Sequence, residues 1–293
     1  MAEQGAIERD LSALQFRDWI GRSTSTEDDI TVSAVRRIAV TFDRPADTYG
    51  HGDALPPHWY SMFFPALARQ SELGHDGHPR KGDFLPPVPL PRRMFVGRRV
   101  RFPGALRVGD HAVKRSEIAA VTPKLGRSGT MVFLTVRHTI SVSGKPVVIE
   151  DQEVVYREAA APGAGLPQKA PTPPPEGAAW RETVFLDPVL LFRYSAITWN
   201  GHRIHYDADY AREKEGYPAC VQNGGLTVHL LVDAAIRHSG KRPAGLTARL
   251  SQPLFVGQNM VLAGHDVEDG RLATWAETES GGLAASVELH MPA

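Results

Sequence analysis

Residues Gly225 to Gly240 read GLTVHLLVDAAIRHSG, and three strand-like runs follow: LTARLSQPLFVGQNMVLAGHDVEDG (246–270), RLATWAETESG (271–281) and GLAASVELHM (282–291). Leu226, Leu230, Leu231, Ala234 and Ala235 recur at helical spacing, with His229, Asp233 and Arg237 four apart on a narrow polar stripe. Gly240 is a fitting stop. A helix this apolar, placed ahead of a strand meander, is expected to lie buried across that sheet with its amino end beside Gln222-Asn223-Gly224-Gly225. The fold class is therefore α+β.

The first half repeats the rhythm. KRSEIAAVTPKLG (114–126), TMVFLTVRHTISVSG (130–144) and KPVVIEDQEVVYRE (145–158) are rich in Val, Ile and Thr and are broken at meander intervals. HWYSMFFPALARQSELG, His58 to Gly74, precedes them where a helix is expected, with Pro65 interrupting it. RFPGALRVG (Arg101–Gly109) and RLSQPLFVG (Arg249–Gly257) share an opening Arg and a closing Leu-x-Val-Gly at equal spacing, which points to a duplicated fold. From Ala159, AAAPGAGLPQKAPTPPPEGAA has linker composition. The expected division is a domain over 1–160, a Pro/Gly/Ala-rich linker over 161–179 and a domain over 180–293.

Across all 293 residues, 33 Lys+Arg balance 33 Asp+Glu, so no overall field favours nucleic acid or an anionic membrane. No glycine-rich phosphate turn and no sustained basic platform is present. A single cysteine, Cys220, excludes an internal disulfide and favours a reducing compartment. No apolar run is long enough to span a bilayer, and a cytoplasmic location is expected. Composition leaves a homo-oligomer open.

The chemistry-bearing residues crowd ahead of the helix, in NGHRIHYD, Asn200 to Asp207. Three readings compete. Asn200 and Asp207 can stabilise a polar turn. His202 and His205, with Asp207 or the distant His75 and His78 of HDGHP, can ligate a metal, although no HExxH or cysteine pair supports one. Histidine can also shuttle protons at neutral pH, with Asn200 orienting water. Asn223, Gly224 and Gly225 bring flexible backbone to a helix amino end, where N–H groups can hold developing negative charge.

FRYSAITWNGHRIHYDADYAREKEGYPACVQNG (192–224) resembles the active segment of the MaoC-like, double hot-dog enoyl-thioester hydratases. It is most similar to the hydroxyacyl-thioester dehydratase type 2 and mesaconyl- or itaconyl-CoA hydratase group. LPPHWYSMFFP, SELGHDGHP, GDFLPPVPLPRRMFVG and RVRFPGALRVGD resemble that group's amino-terminal domain. The resemblance implies a tandem hot-dog fold, each half an antiparallel sheet wrapped on a central helix. The first domain would be non-catalytic and would make room for the substrate. The implied activity is reversible hydration of an enoyl-CoA to a 3-hydroxyacyl-CoA, with a short branched dicarboxylic acyl group. No cofactor or metal is implied; the CoA thioester is the substrate.

In the broader family the turn reads Asp-x-Asn-Pro-x-His-x-Asp. Matching it carries the catalytic histidine onto His205, places Asn200 where the family has its aspartate, His202 where it has asparagine and Arg203 where it has proline. His205 would be the base, Asn200 would hold water, and Gly224 or Gly225 would bind the thioester oxygen, with His202, Asp207 and Asn223 in support. Arg193, Arg203 and Arg212 are the candidates for a carboxylate or CoA phosphate. Competing activities are thioester hydrolysis and non-catalytic acyl-CoA binding.

Overall fold

In the computed structural model, residues 16–80, 84–90, 92–126, 129–158 and 171–292 are described. The first half runs β1 (Ser23–Asp29), α1 (Val32–Thr41), a short 3-10 helix (Pro57–Met62), β2 (Arg92–Arg101), β3 (His111–Gly126), β4 (Gly129–Val142) and β5 (Lys145–Arg157). The second runs β6 (Trp180–Phe185), α2 (Pro188–Ile197), α3 (Ala208–Glu213), α4 (Gly224–Ser239), β7 (Gly245–Leu250), β8 (Asn259–Gly264), β9 (Arg271–Glu277) and β10 (Leu283–His290). Of the expected linker, 161–170 lie outside the described residues and 171–179 carry no helix or strand.

The ten strands of the described residues form one sheet in the order β1-β3-β4-β5-β2-β7-β10-β9-β8-β6. Read outward from the β2–β7 seam, the two halves have the same order, so each strand of one half has its counterpart in the other. The repeat seen in the sequence falls at equivalent places, in the connections from β2 to β3 and from β7 to β8. Gly109 (φ 96°) and Gly257 (φ 84°) close those connections in a conformation that disfavours a Cβ. Each donates its N–H over 2.8 Å to the residue just after the first strand of its half, Ile30 and Leu186. Thr31 and Asp187 then cap α1 and α2 in the same way.

The halves differ at their central helices. α4 packs on β8, β9 and β10, burying Leu226, Val228, Leu231, Val232, Ala234 and Ala235; a fully buried Leu or Val side chain contributes about 1.5–3 kcal/mol. Gly240, at φ 65°, ends it as expected. The helix expected over His58–Gly74 instead forms only the turn Pro57–Met62 and a second short turn, Gln70–Glu72. Pro65 disfavours helical geometry at the residue before it, and Phe64 sits at φ 59°. The turn is nonetheless buried, and it packs beside α4.

That contact explains His229 and Asp233 of the polar stripe of α4, which face a seam between the halves, whereas Arg237 pairs with Glu182 within the second half. His229 Nε2 lies 2.9 Å from Ser61 Oγ and 3.1 Å from the His58 carbonyl oxygen. Asp233 is buried between His58 Nε2 at 3.0 Å and Arg44 Nη2 at 2.8 Å. Trp59, Leu55 and Ile38 of the first half share one apolar core with Leu226 and Leu231 of the second.

Candidate active site

The carboxyl end of α2 sets up the candidate turn. The Asn200 N–H donates to the Ser195 carbonyl (2.8 Å) and the Trp199 N–H to that of Ala196 (3.3 Å), a Schellman closure. Its left-handed residue is Trp199 at φ 53°, where glycine is usual, so backbone strain is spent on the residue just before Asn200. Asn200 Oδ1 accepts the His202 N–H at 3.0 Å. A 3-10 turn over Arg203–His205 follows, and Asp207 caps α3 by accepting the Tyr210 N–H at 2.9 Å.

These residues open onto a cavity of about 1470 Å³ lined from both halves. Asn200, His202, His205, Gly224 and Gly225 all line it, with Asn223 and Arg203. His205 is buried, and its Nδ1 lies 2.7 Å from the Val221 carbonyl oxygen. A carbonyl only accepts, so Nδ1 carries the proton and Nε2 keeps its lone pair. The Gly225 N–H donates to Asn223 Oδ1 at 2.8 Å as the helix cap. The Gly224 N–H has no partner among the described residues, so of the two glycines it is the available donor at the helix's positive end.

Asp207 faces away from this chemistry. It binds Arg203 through Nε at 3.0 Å and Nη2 at 2.7 Å while capping α3. Arg203 stacks on Tyr210, its Nη1 donates to the His75 carbonyl at 3.1 Å, and its backbone N–H donates to the Asp76 carbonyl at 2.9 Å. The last bond is one that a proline in this position could not make. Arg193 and Arg212 do not line the cavity; Arg212 Nε donates to the Pro218 carbonyl at 3.1 Å. The cavity's other arginines are Arg92, Arg93, Arg98 and Arg157, all from β2 and β5. Sequence reading did not single them out because they reach the cavity through the pairing of β2 with β5 and β7 rather than through a local motif.

The HDGHP loop docks directly on the turn. The Arg203 N–H bond to Asp76 anchors it, and a Cβ on Gly77 would lie 1.8 Å from the Gly201 carbonyl oxygen. The His78 and His202 ring centres are 4.0 Å apart, and those of His202 and His205 are 5.4 Å apart. Asp76, His78 and His202 place donor atoms within 4.8 Å of one another, near enough for a single ion to be considered. Asp76 and His78 are, however, bonded to each other (Oδ2 to Nδ1, 3.0 Å), and the His202 ring packs over that of His78. This is a hydrogen-bonded pair packed on a third ring, and no metal is assigned to it.

Burial pushes the His205 pKa down to about 4 against the pull of the Val221 carbonyl, with the His78 charge lowering it further. Burial, then the charges of His78 and His205, push His202 down to about 3. Both rings are neutral at neutral pH, so His205 is in its base form. In the unfolded chain they take up protons near 6.5. The unfolded state then binds more protons below that value, so this stability is complete above pH 6.5 and is lost as pH falls toward the folded values. Tm is expected to fall on acidification from about pH 7 to about pH 4, and less steeply in His202→Gln. Equal slopes in parent and variant would contradict the assignment of His202.

The pattern of the hydroxyacyl-thioester dehydratase type 2 family matches residues 58–256. Mesaconyl-C(4)-CoA hydratase of Chloroflexus aurantiacus is 43% identical over 248 residues, covering 84% of this chain and 87% of that protein. A MaoC-like dehydratase structure from Phytophthora capsici superposes with a TM-score of 0.69 at 12% identity, covering 93% of this chain and 96% of that one. A Mycobacterium tuberculosis protein described as having a double hot-dog fold superposes at 0.55 with 14% identity, over 93% and 96% of the two chains. With its twin half-sheets, its helix across the second and its histidine turn, the chain belongs to the hydroxyacyl-thioester dehydratase type 2 family of MaoC-like double hot-dog enzymes, and is a hydro-lyase with enoyl-CoA hydratase activity.

Proposed function

We propose that His205 is the general base of this hydratase and that the Gly224 N–H holds the thioester oxygen. The observation that carries this reading is that one cavity is lined by a buried, neutral imidazole and by an N–H at the amino end of α4, with neither Nε2 nor that N–H hydrogen-bonded among the described residues. In hydration, His205 Nε2 takes a proton from water as the hydroxyl adds to C3. The C2–C3 π electrons move onto the thioester carbonyl, and the enolate oxygen is met by the Gly224 N–H and the helix field. C2 then takes a proton, and dehydration reverses each step. The fixed donor and dipole need no reorganisation as charge develops, which makes this stabilisation effective.

Asn200 spends its oxygen on the His202 N–H, while its Nδ2 makes no hydrogen bond among the described residues. The amide donor is thus available to hold the water or the C3 hydroxyl. Asn200→Ala is expected to lower kcat on the order of tenfold, about the net worth of one hydrogen bond. A parental rate in a folded Asn200→Ala protein would confine Asn200 to the turn.

The acyl group is proposed to be a short branched dicarboxylic one. Support comes from the relative named mesaconyl-C(4)-CoA hydratase and from Arg92 and Arg93 in the cavity lining, which offer cationic contacts for a free carboxylate or CoA phosphates. A panel of enoyl-CoA thioesters tests this, with enoyl absorbance and free thiol followed together. The expected result is faster absorbance change with dicarboxylic than with straight monocarboxylic substrates and no thiol release. Preference for the monocarboxylic thioesters would overturn the acyl assignment; thiol release would indicate hydrolysis, and binding without either change a non-catalytic module.

A further inference from the structure

Hydration places protons at two sites, one leaving the attacking water and one arriving at C2. Of the turn's two cavity-lining histidines, His202 packs its ring over that of His78 and is the weaker base, which leaves His205 for one of these protons. The turn's carboxylate, Asp207, is held by Arg203 and by the Tyr210 N–H. Glu158, the carboxylate lining the same cavity, accepts the Thr130 N–H at 3.0 Å.

We propose that His78, oriented by Asp76, is the second catalytic acid–base group, so that the first half contributes to the chemistry as well as to the pocket. The proposal rests on the hydratase reading above. His78 lines the cavity, whereas Asp76 stands behind it. Asp76 holds His78 twice, through Oδ2 to the ring Nδ1 at 3.0 Å and through Oδ1 to the backbone N–H at 3.1 Å. A carboxylate on Nδ1 fixes the tautomer, turns Nε2 toward the open side and stabilises the imidazolium. The His78 side chain is 42% exposed, so unlike His205 it is reachable by solvent protons. The whole loop is locked onto the turn by Arg203 and by the Gly77–Gly201 approach.

In hydration the step balances as follows. His205 Nε2 accepts the water proton while the C3–O bond forms and the π electrons reach the thioester oxygen. As the enolate collapses, C2 takes the proton from Nε2 of the His78 imidazolium, and the electron pair forms the C2–H bond. After product leaves, His205 gives its proton to water entering the cavity and His78, whose side chain is 42% exposed, takes one back from solvent, which restores both groups. His78 is the catalytic residue of this pair and Asp76 its positioning residue.

The test uses the full-length chain and an enoyl-CoA thioester that the parent turns over. His78→Ala, with His78→Gln as the variant that preserves bulk, is expected to lower kcat about 10²-fold with KM little changed. Asp76→Asn keeps one acceptor but turns a donor toward Nδ1, and is expected to lower kcat at least tenfold. Placed in the His78→Ala background, it should cost nothing more, because the two residues act as a unit. A parental kcat in either folded His78 variant, a loss confined to KM, or multiplying losses in the double variant would overturn the proposal. In each of these cases the parent still hydrates its substrate; a parent that hydrates none would overturn the hydratase reading instead.

Discussion

His205→Ala is expected to reduce hydratase turnover by about 10²- to 10⁴-fold, the range that a positioned general base supplies. The ring also donates to the buried Val221 carbonyl, and leaving that acceptor unpaired costs about 1–3 kcal/mol. Alanine alone would therefore mix folding with chemistry. His205→Gln separates them, since its amide can still donate to the carbonyl but cannot act as a base at neutral pH. Both variants should lose turnover, with Tm better preserved in His205→Gln. A folded His205→Gln protein with parental kcat would remove His205 from the mechanism.

Gly77→Ala is expected to have a comparable effect on turnover through a different cause. Gly77 has φ 86°, and its missing Cβ leaves space for the Gly201 carbonyl, which would otherwise lie 1.8 Å away. Backbone oxygen cannot swing aside as a flexible side chain can, so the HDGHP loop must lift off the turn that carries Asn200, His202 and His205. A rate loss on the order of 10²-fold is expected, because small misplacements of catalytic groups have effects of that size. Gly144→Ala is the control. Its φ is 76° with nothing within 4 Å of the added carbon, so it should cost about 1–2 kcal/mol of backbone strain while kcat stays parental. Equal kcat in Gly77→Ala and the parent would show that the loop is not part of the site.

The duplicated α+β architecture was legible where local pattern and tertiary role coincide. The alternating Val/Ile/Thr runs are β3, β4 and β5, and the apolar run ahead of the second meander is α4 with its glycine stop. β1 was missed: STSTEDD has no apolar alternation because it is an edge strand with almost no buried face. β2 was missed because RRMFVGRRVR carries its charges into a cavity and a seam. Local pattern also misplaced the first-half helix, since the apolar run beginning at His58 ignores what Pro65 does to residue 64.

Of the candidate site, Asn200, His202, His205 and Gly224 were legible because they are neighbours in sequence, and the structure brings them to one cavity. Arg193 and Arg212 were chosen for sequence proximity alone, and both lie away from it. The cavity arginines of β2 and the contact of HDGHP join residues more than a hundred positions apart to the turn, and Arg157 of β5 lies more than forty positions from it. No periodicity or spacing rule reaches across that separation.

The most direct test of the central claim is product analysis after incubating the purified protein with mesaconyl-C(4)-CoA in isotopically labelled water. Hydration across the double bond predicts an intact CoA thioester that has gained one water, with the labelled oxygen at C3. Label in a released carboxylate, accompanied by free CoA thiol, or recovery of the unchanged enoyl thioester would contradict it.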